Sequence, residues 1–261
     1  MHQLQDSINA RVYQRIGIER QYRDDSLGRA EGIALLKYQP AFAGKDVLDI
    51  GAGTGRTTIY FAPLARRYQA IDYSPEMVRR FEQVLPGVPV ALADMREMSG
   101  FPDAAFDFVL ASNNVFDAIG HEDRLHTLHE VHRLLRPAGI LMFSSHNRDV
   151  RDVAHGPRLG ISRNPVTQLK LAAHWCLSLI NHARLQSLQT FANEYAIIND
   201  EAHDCALLHY YIGIEAQRRQ LMEQGFELLD TFDRLGDPVQ PRSRAEHSSW
   251  LLYVARRLPV S

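Results

Sequence analysis

The run Val47-Leu48-Asp49-Ile50-Gly51-Ala52-Gly53-Thr54-Gly55-Arg56-Thr57-Thr58 constrains the fold of this chain more than any other stretch. Residues 47–50 read as a buried strand, and the alternating glycines that follow read as a loop opening a helix. Glycine permits positive φ and lets the backbone approach a ligand that a Cβ would push away. The free N–H groups of the first helical turn then face that ligand's oxygens. Asp49 stands at the carboxyl end of the strand, which is the ligand crevice of an open α/β sheet. The spacing is G-x-G-x-G, with Arg56 where a dinucleotide fingerprint needs its third glycine.

Further polar residues recur at predicted strand ends. Gln69-Ala70-Ile71 ends in Asp72, which lies 21 positions after Gly51, a distance that suits a carboxylate accepting ribose hydroxyls. Ser74 and Pro75 are a natural N-cap and first helical residue, so a helix should start directly after it. A third strand over 88–92 ends at Ala93-Asp94-Met95-Arg96, and a fourth over 106–111 at Ser112-Asn113-Asn114-Val115-Phe116-Asp117. Arg136-Pro137-Ala138-Gly139 turns into a fifth strand over 140–144, followed by Ser145-His146-Asn147.

The D-x-G-x-G run and the order of these strand ends resemble the class I S-adenosylmethionine-dependent methyltransferases. The resemblance is specific over about residues 45–147, and holds by pattern over 215–257. It implies an α/β, Rossmann-like seven-stranded sheet with helices on both faces and the last strand antiparallel. It also implies S-adenosylmethionine as cofactor and S-adenosylhomocysteine as product. By the same resemblance Asp49, Gly51, Gly53 and Gly55 surround the methionyl portion and Asp72 the ribose, with Ala52, Tyr73 and Met77 as further cofactor contacts. Asp94 and Met95 fall to adenine, and Asn113 near the transferred methyl. Each has a plainer alternative: Asp49 and Asp72 as helix caps, Met95 as core.

Methyl transfer from a sulfonium is an in-line displacement in which positioning carries most of the rate. A base matters when the nucleophile starts protonated. Asn113, Asn114 and Asp117 follow the fourth strand, and His146 and Asn147 follow the fifth on the same rim. His146 is the candidate base, with Asn113 and Asp117 as catalytic partners; a loop-closing structural histidine is the other reading. Asn114, Asn147, Trp175, His209, Tyr210 and Tyr211 are candidate substrate contacts, with Phe191 beside them, against the reading that the aromatics are buried bulk. Arg148, Arg151, Arg158 and Arg163 read as a solvated loop.

Residues 1–44 read as an N-terminal helical extension broken near Asp24-Asp25-Ser26. Ile8, Val12, Tyr13 and Ile16 form one apolar stripe, and Ile33, Leu35 and Leu36 another. The extension either covers the cofactor mouth or packs on the sheet edge. The core over 45–147 resumes over 215–261, with strands at 226–232 and 250–255 joined by a Pro/Arg-rich loop. Between them, 148–214 is longer than a minimal core needs and reads as a substrate cap. It holds a helical stretch over 166–188, a strand at Tyr195–Ile198, and a run over 206–212 able to pair with it.

A net charge of −2 supplies no field for nucleic acid or an acidic membrane. No run of some 18 apolar residues reads as a membrane span, and the start of the chain lacks an apolar signal core. Cys176 and Cys205 read as small buried hydrophobes, consistent with a reducing cytoplasm. His126, His129 and His132 on a helix over 122–135 drift around its axis, so no metal set is expected there. The reading is a methyltransferase acting at nitrogen or oxygen of a small molecule, possible natural-product metabolism included, with a homodimer left open. A nicotinamide oxidoreductase, disfavoured by Arg56, and a non-catalytic cofactor-binding protein are the alternatives. The chain lacks the Asn/Asp-Pro-Pro-aromatic run of amino-methylating nucleic-acid enzymes, and the carboxylates of metal-dependent catechol-type enzymes are amides here.

Overall fold

The structure is a computed structural model that describes residues 2–14, 26–151, 156–240 and 242–259. Ile16, Asp24 and Asp25 lie outside the described residues, as do 152–155 of the cap.

Three parallel units open the sheet. Strands β1 (Asp46–Ile50), β2 (Arg67–Asp72) and β3 (Val90–Leu92) alternate with helices α3 (Thr58–Phe61) and α4 (Pro75–Val84). Preceding them are α1 (His2–Tyr13) and α2 (Arg29–Phe42). Beyond β3 come β4 (Phe106–Ala111), α5 (His121–Leu134) and β5 (Leu135–Asn147). The inserted segment forms α6 (Pro165–Leu185), β6 (Thr190–Phe191), β7 (Tyr195–Ile198) and β8 (His209–Ile212). Helix α7 (Ile214–Glu223) leads into the closing hairpin, β9 (Phe226–Asp233) and β10 (Trp250–Arg257).

The expected seven-stranded path is present: β3-β2-β1-β4-β5, then β10 antiparallel to β5, then β9 antiparallel to β10. Helices cover both faces. Leu128, Val131, Leu134 and Leu221 of α5 and α7 join Leu48 and Leu141 on one face. Ala30, Ala34, Phe42, Phe61 and Phe81 of α2, α3 and α4 join Val47 and Leu110 on the other. Ser74 caps α4 by accepting from the Met77 N–H, with Pro75 opening the helix.

Several local expectations are corrected. The Arg136–Gly139 turn is taken up inside β5 as a break in register against β4, with Ala138 at φ 63°. On α2 the inward face is Ala30, Ala34 and Phe42, whereas Ile33 and Leu36 are exposed. His132 is half-buried edge-on against Phe226, while His126 and His129 are exposed. Cys205 is buried and Cys176 is exposed.

The inserted segment is more than a lid. His146 pairs with Trp250 of β10 on one edge and with Tyr211 of β8 on the other. Strand β8 therefore takes over the edge that β4 leaves after Ala111, and β7 and β6 extend the sheet to ten strands. Strands β6, β7 and β8 are thus built into the main sheet, whereas α6 stands outside it; Val166, Leu169 and Ile180 on that helix are exposed. No helix among the described residues is long and apolar enough to cross a membrane.

Candidate active site

The carboxyl ends of β1, β2, β3 and β4 border one cavity of about 570 Å³. Its floor is the glycine loop. Gly51 and Gly53 have φ of 66° and 57°, conformations costly for any side chain. A Cβ on Gly51 would strike Val115 at 2.6 Å, whereas one on Gly53 would meet no protein atom within 4 Å. Gly51 is thus glycine for packing, and Gly53 leaves its backbone open to the cavity.

Asp72, at the end of β2, ties this loop to the next helix. Its two oxygens accept from the Gly53 N–H and the Ser74 N–H, both at 2.9 Å. Burial raises its carboxyl above the ordinary value, against the pull of those N–H groups. Tyr73 and Met77 also line the cavity, as do Ala52, Asp94, Met95 and Asn113. Asp94 is clamped by Arg96, whose Nη2 lies 2.7 Å from Oδ2. Burial opposes the charge there, yet the bonds to Arg96 bring the Asp94 carboxyl below its usual value.

Two expected cofactor residues stand elsewhere. Strand alternation puts Asp49 on the face of Val47, away from the cavity lined by Ile50. There it accepts from the Tyr68 hydroxyl at 2.6 Å and from Thr58 and Thr57 at 3.0 and 3.2 Å. Asp49 thus fixes the loop and the start of α3 from beneath, and burial pushes its carboxyl up to about 6. Gly55, at φ 94°, packs under Phe81 and Leu85 and is also absent from the lining.

On the other side of the loop stand residues that the sequence did not reveal. Arg56 makes a two-armed pair with Glu31 of α2, at 2.7 and 2.6 Å, and its Nη2 donates to Ser112 Oγ at 2.8 Å. Ser112 in turn donates to Glu31. Burial alone would raise the Glu31 carboxyl, but the bonds and charge of Arg56 bring it below its ordinary value. The three line the cavity with Trp250 of β10 and with Asn9, Ala10 and Tyr13 of α1. In the sequence Arg56 marks only the place of an absent third glycine, and Glu31 is 25 positions away with no motif around it.

Helix α1 is pinned in place by amide side chains. Asn9 Nδ2 donates to the Ala118 and Leu208 carbonyls at 2.7 and 2.8 Å, and its Oδ1 accepts from Leu208 N–H at 3.0 Å. Asn113 and Asn114 both hold left-handed φ, 56° and 58°, which asparagine tolerates better than other residues with a Cβ. Asn114 N–H donates to Ser144 Oγ at 2.7 Å, and its Oδ1 is buried with no hydrogen-bond partner.

The remaining candidates are set back from the cavity. Asp117 is fully buried, accepting from Arg124, Ser145 and the His146 N–H at 2.7 Å each. Its carboxyl falls below the ordinary range: burial opposes, but His146 and Arg124 prevail. It is a structural anchor with no face on the cavity. His146 lies behind Asn114, its Nε2 3.2 Å from Asn114 Nδ2, and does not line the cavity. Asn147 is buried and donates to the Arg244, Ala245 and Ser248 carbonyls. Tyr210 is core, its hydroxyl 2.8 Å from His121 Nδ1. Trp175 is half-buried on α6 and Phe191 exposed, both away from the cavity. His209 and Tyr211 are buried on β8, where His209 Nε2 reaches the Tyr13 hydroxyl at 3.4 Å.

Known proteins resemble the chain over the same segment. The model of a methyltransferase domain matches residues 47–139, the segment that carries the loop and strand ends above. Over that segment the chain carries a methyltransferase domain of the S-adenosylmethionine-dependent type. It is 30% identical over 153 residues to a probable S-adenosylmethionine-dependent methyltransferase of Mycobacterium tuberculosis, covering 58% of this chain and 53% of that protein. The match thus spans about half the length of that curated relative. Among solved structures, an S-adenosylmethionine-dependent methyltransferase from Mesorhizobium loti superposes with a TM-score of 0.60 at 19% identity, over 87% of this chain and 98% of that one. The Burkholderia thailandensis 1,6-didemethyltoxoflavin-N1-methyltransferase does so at 0.59 and 17%, over 97% and 88%. Its structure contains 1,6-didemethyltoxoflavin and S-adenosylhomocysteine.

The methyltransferase cofactor fits these residues. The open space at Gly53 accommodates a backbone-hugging ligand, and Asp72 and Asp94 present carboxylates at two further points of the same wall.

Proposed function

We propose that this methyltransferase transfers a methyl group from S-adenosylmethionine to a nitrogen or oxygen of a small molecule. The observation that carries the reading is one cavity continuous from the glycine loop, past Asp72 and Asp94–Met95, to Asn113, Asn114 and Tyr13. Bound there, the cofactor supplies an electrophilic methyl on sulfur. Gly51, Ala52 and Gly53 face the amino-acid end, Asp72 holds the ribose hydroxyls, and Met95 covers the adenine. Asn113 and Asn114 form the far wall, where an acceptor must sit in line with the methyl at about 3 Å for productive attack. Asn114 lines this wall with its backbone fixed by Ser144, so its substitution perturbs the acceptor side of the cavity. A neighbour of like fold, the 1,6-didemethyltoxoflavin-N1-methyltransferase, is in keeping with a small-molecule acceptor.

The test is turnover of labelled S-adenosylmethionine against panels of amines, phenols and carboxylic acids, with Asn114→Ala as control. Methylation of a member of the panel, weakened in the variant chiefly through KM, supports the reading. Absence of labelled product across panels and cell extracts, with cofactor bound, leaves a cofactor-binding protein without transfer activity.

A further inference from the structure

Behind Asn114, three side chains distant in sequence converge. His146 lies near the end of β5, His209 opens β8, and Asp200 follows β7. Sheet register brings them together: His146 pairs with Tyr211, and His209 pairs with Ile198, two residues before Asp200. Since His209 and Tyr211 are two apart on one strand, their side chains and that of His146 share a face. One nitrogen or oxygen from each of His146, Asp200 and His209 lies within 4.8 Å of the others. The two imidazole centroids are 5.1 Å apart.

Each ring is held from outside the cluster. Asp117 Oδ2 lies 2.7 Å from His146 Nδ1. Tyr13 sits 3.4 Å from His209 Nε2. The Tyr211 hydroxyl donates to Asp200 Oδ2 at 2.9 Å, and the Ala202 N–H to Oδ1 at 3.0 Å. Outer partners that fix ring orientation and support a carboxylate are what metal-ligating histidines and aspartates use.

The charges also call for a cation. Asp117 is neutralised by Arg124 at 2.7 Å. Asp200 is buried too, and its ion pair among the described residues is with His209, at 2.7 Å. A divalent ion between the imidazoles and this buried carboxylate would supply the compensating positive charge.

We propose that His146, Asp200 and His209 bind one divalent transition-metal ion. Two imidazoles and one carboxylate suit zinc, cobalt, nickel or ferrous iron, whereas calcium and magnesium take oxygen donors. The His209 Nδ1 lone pair makes one bond to the ion, and any proton that Nδ1 carries toward Asp200 moves to Nε2 or leaves to solvent. Three protein ligands leave a coordination position open, as in catalytic rather than structural sites. Asn114 and Tyr13, which touch the two imidazoles, both line the cavity. Given the methyl transfer proposed above, the ion would sit behind the Asn114 and Tyr13 wall of the cavity and fix it, with His146 acting as ligand rather than base.

The experiment is titration of metal-stripped, full-length protein with Co²⁺, followed by visible d–d absorption and equilibrium dialysis, without cofactor. One ion per chain is expected, displaceable by Zn²⁺. Affinity should fall about a hundredfold or more in His209→Gln and in His146→Gln, since even outer-shell changes cost 10–100-fold. Circular dichroism and S-adenosylhomocysteine binding establish that each variant is folded, and the half-buried His146 is the more permissive position. No stoichiometric Co²⁺ binding by the wild type, or equal binding by folded His146→Gln, overturns the proposal and leaves a proton-sharing network. Because metal binding is read without cofactor, its failure is distinct from failure of the methyltransferase reading.

Discussion

Asp49→Asn isolates what a buried carboxylate under the glycine loop does to the fold. Asp49 is 1% exposed and accepts three hydroxyl hydrogen bonds, from Tyr68, Thr57 and Thr58. Burial is the largest influence and outweighs those bonds, so the carboxyl rises from 3.8 to about 6 in the folded chain. The folded protein therefore holds this proton more tightly than the unfolded chain does. The contribution to stability is fully present below about pH 4 and is lost as pH rises through about 6. About two pH units at 1.4 kcal/mol each amount to about 3 kcal/mol. Asparagine keeps an oxygen for the Tyr68 hydroxyl and never ionises. Urea unfolding of both proteins from pH 3.5 to 7.5 should show the wild type losing about 3 kcal/mol relative to Asp49→Asn, most of it between about pH 4 and 6. Taking the difference cancels the other titrating groups. A flat difference would refute the reasoning, because the three hydroxyls would then offset burial in full.

Other consequences follow from the same geometry. Asp72→Ala removes the carboxylate at the ribose position and should weaken S-adenosylhomocysteine binding by about 1.5–3 kcal/mol, read by calorimetry; unchanged affinity would place the ribose elsewhere. Arg56→Ala strands the buried Glu31 and should cost about 3 kcal/mol, lowering Tm by roughly 6–12 °C, whereas an unshifted Tm would mean that solvent replaces the guanidinium. Asn9→Ala leaves the Ala118 and Leu208 backbone groups without their partner and should cost about 1–3 kcal/mol. Hydrogen exchange should then rise along α1 and at Leu208, and protection equal to the wild type would show that the helix is held by other contacts.

What the sequence made legible was local. The loop, the Ser74–Pro75 helix start and the polar strand ends lie within a few residues of one another, and backbone preferences alone identify them. Asp49 shows the limit of that reading. Its place at a strand end was clear, but its direction follows from strand alternation and from hydroxyls on α3 and β2. Arg56 and Glu31 meet across 25 positions, and Asn9 meets Leu208 across 199. Such pairs exist only once the chain has folded, so no spacing rule announces them. The joining of β8 to β5 was hidden for the same reason. A run over 206–212 reads as a strand able to pair with 195–198, yet nothing in it names the end of β5 as its second neighbour. The convergence of His146, Asp200 and His209 depends on that register, whereas on α5 His126 and His129 are exposed and His132 packs on Phe226.

The central claim is that the cavity above the glycine loop is a methyl-donor site. Isothermal titration of the full-length protein with S-adenosylmethionine, S-adenosylhomocysteine and NADH tests it directly. The account predicts one site per chain for the first two, with affinity in the micromolar range, and no binding of NADH. Folded protein that binds neither sulfur compound, or that binds NADH in their place, would contradict it.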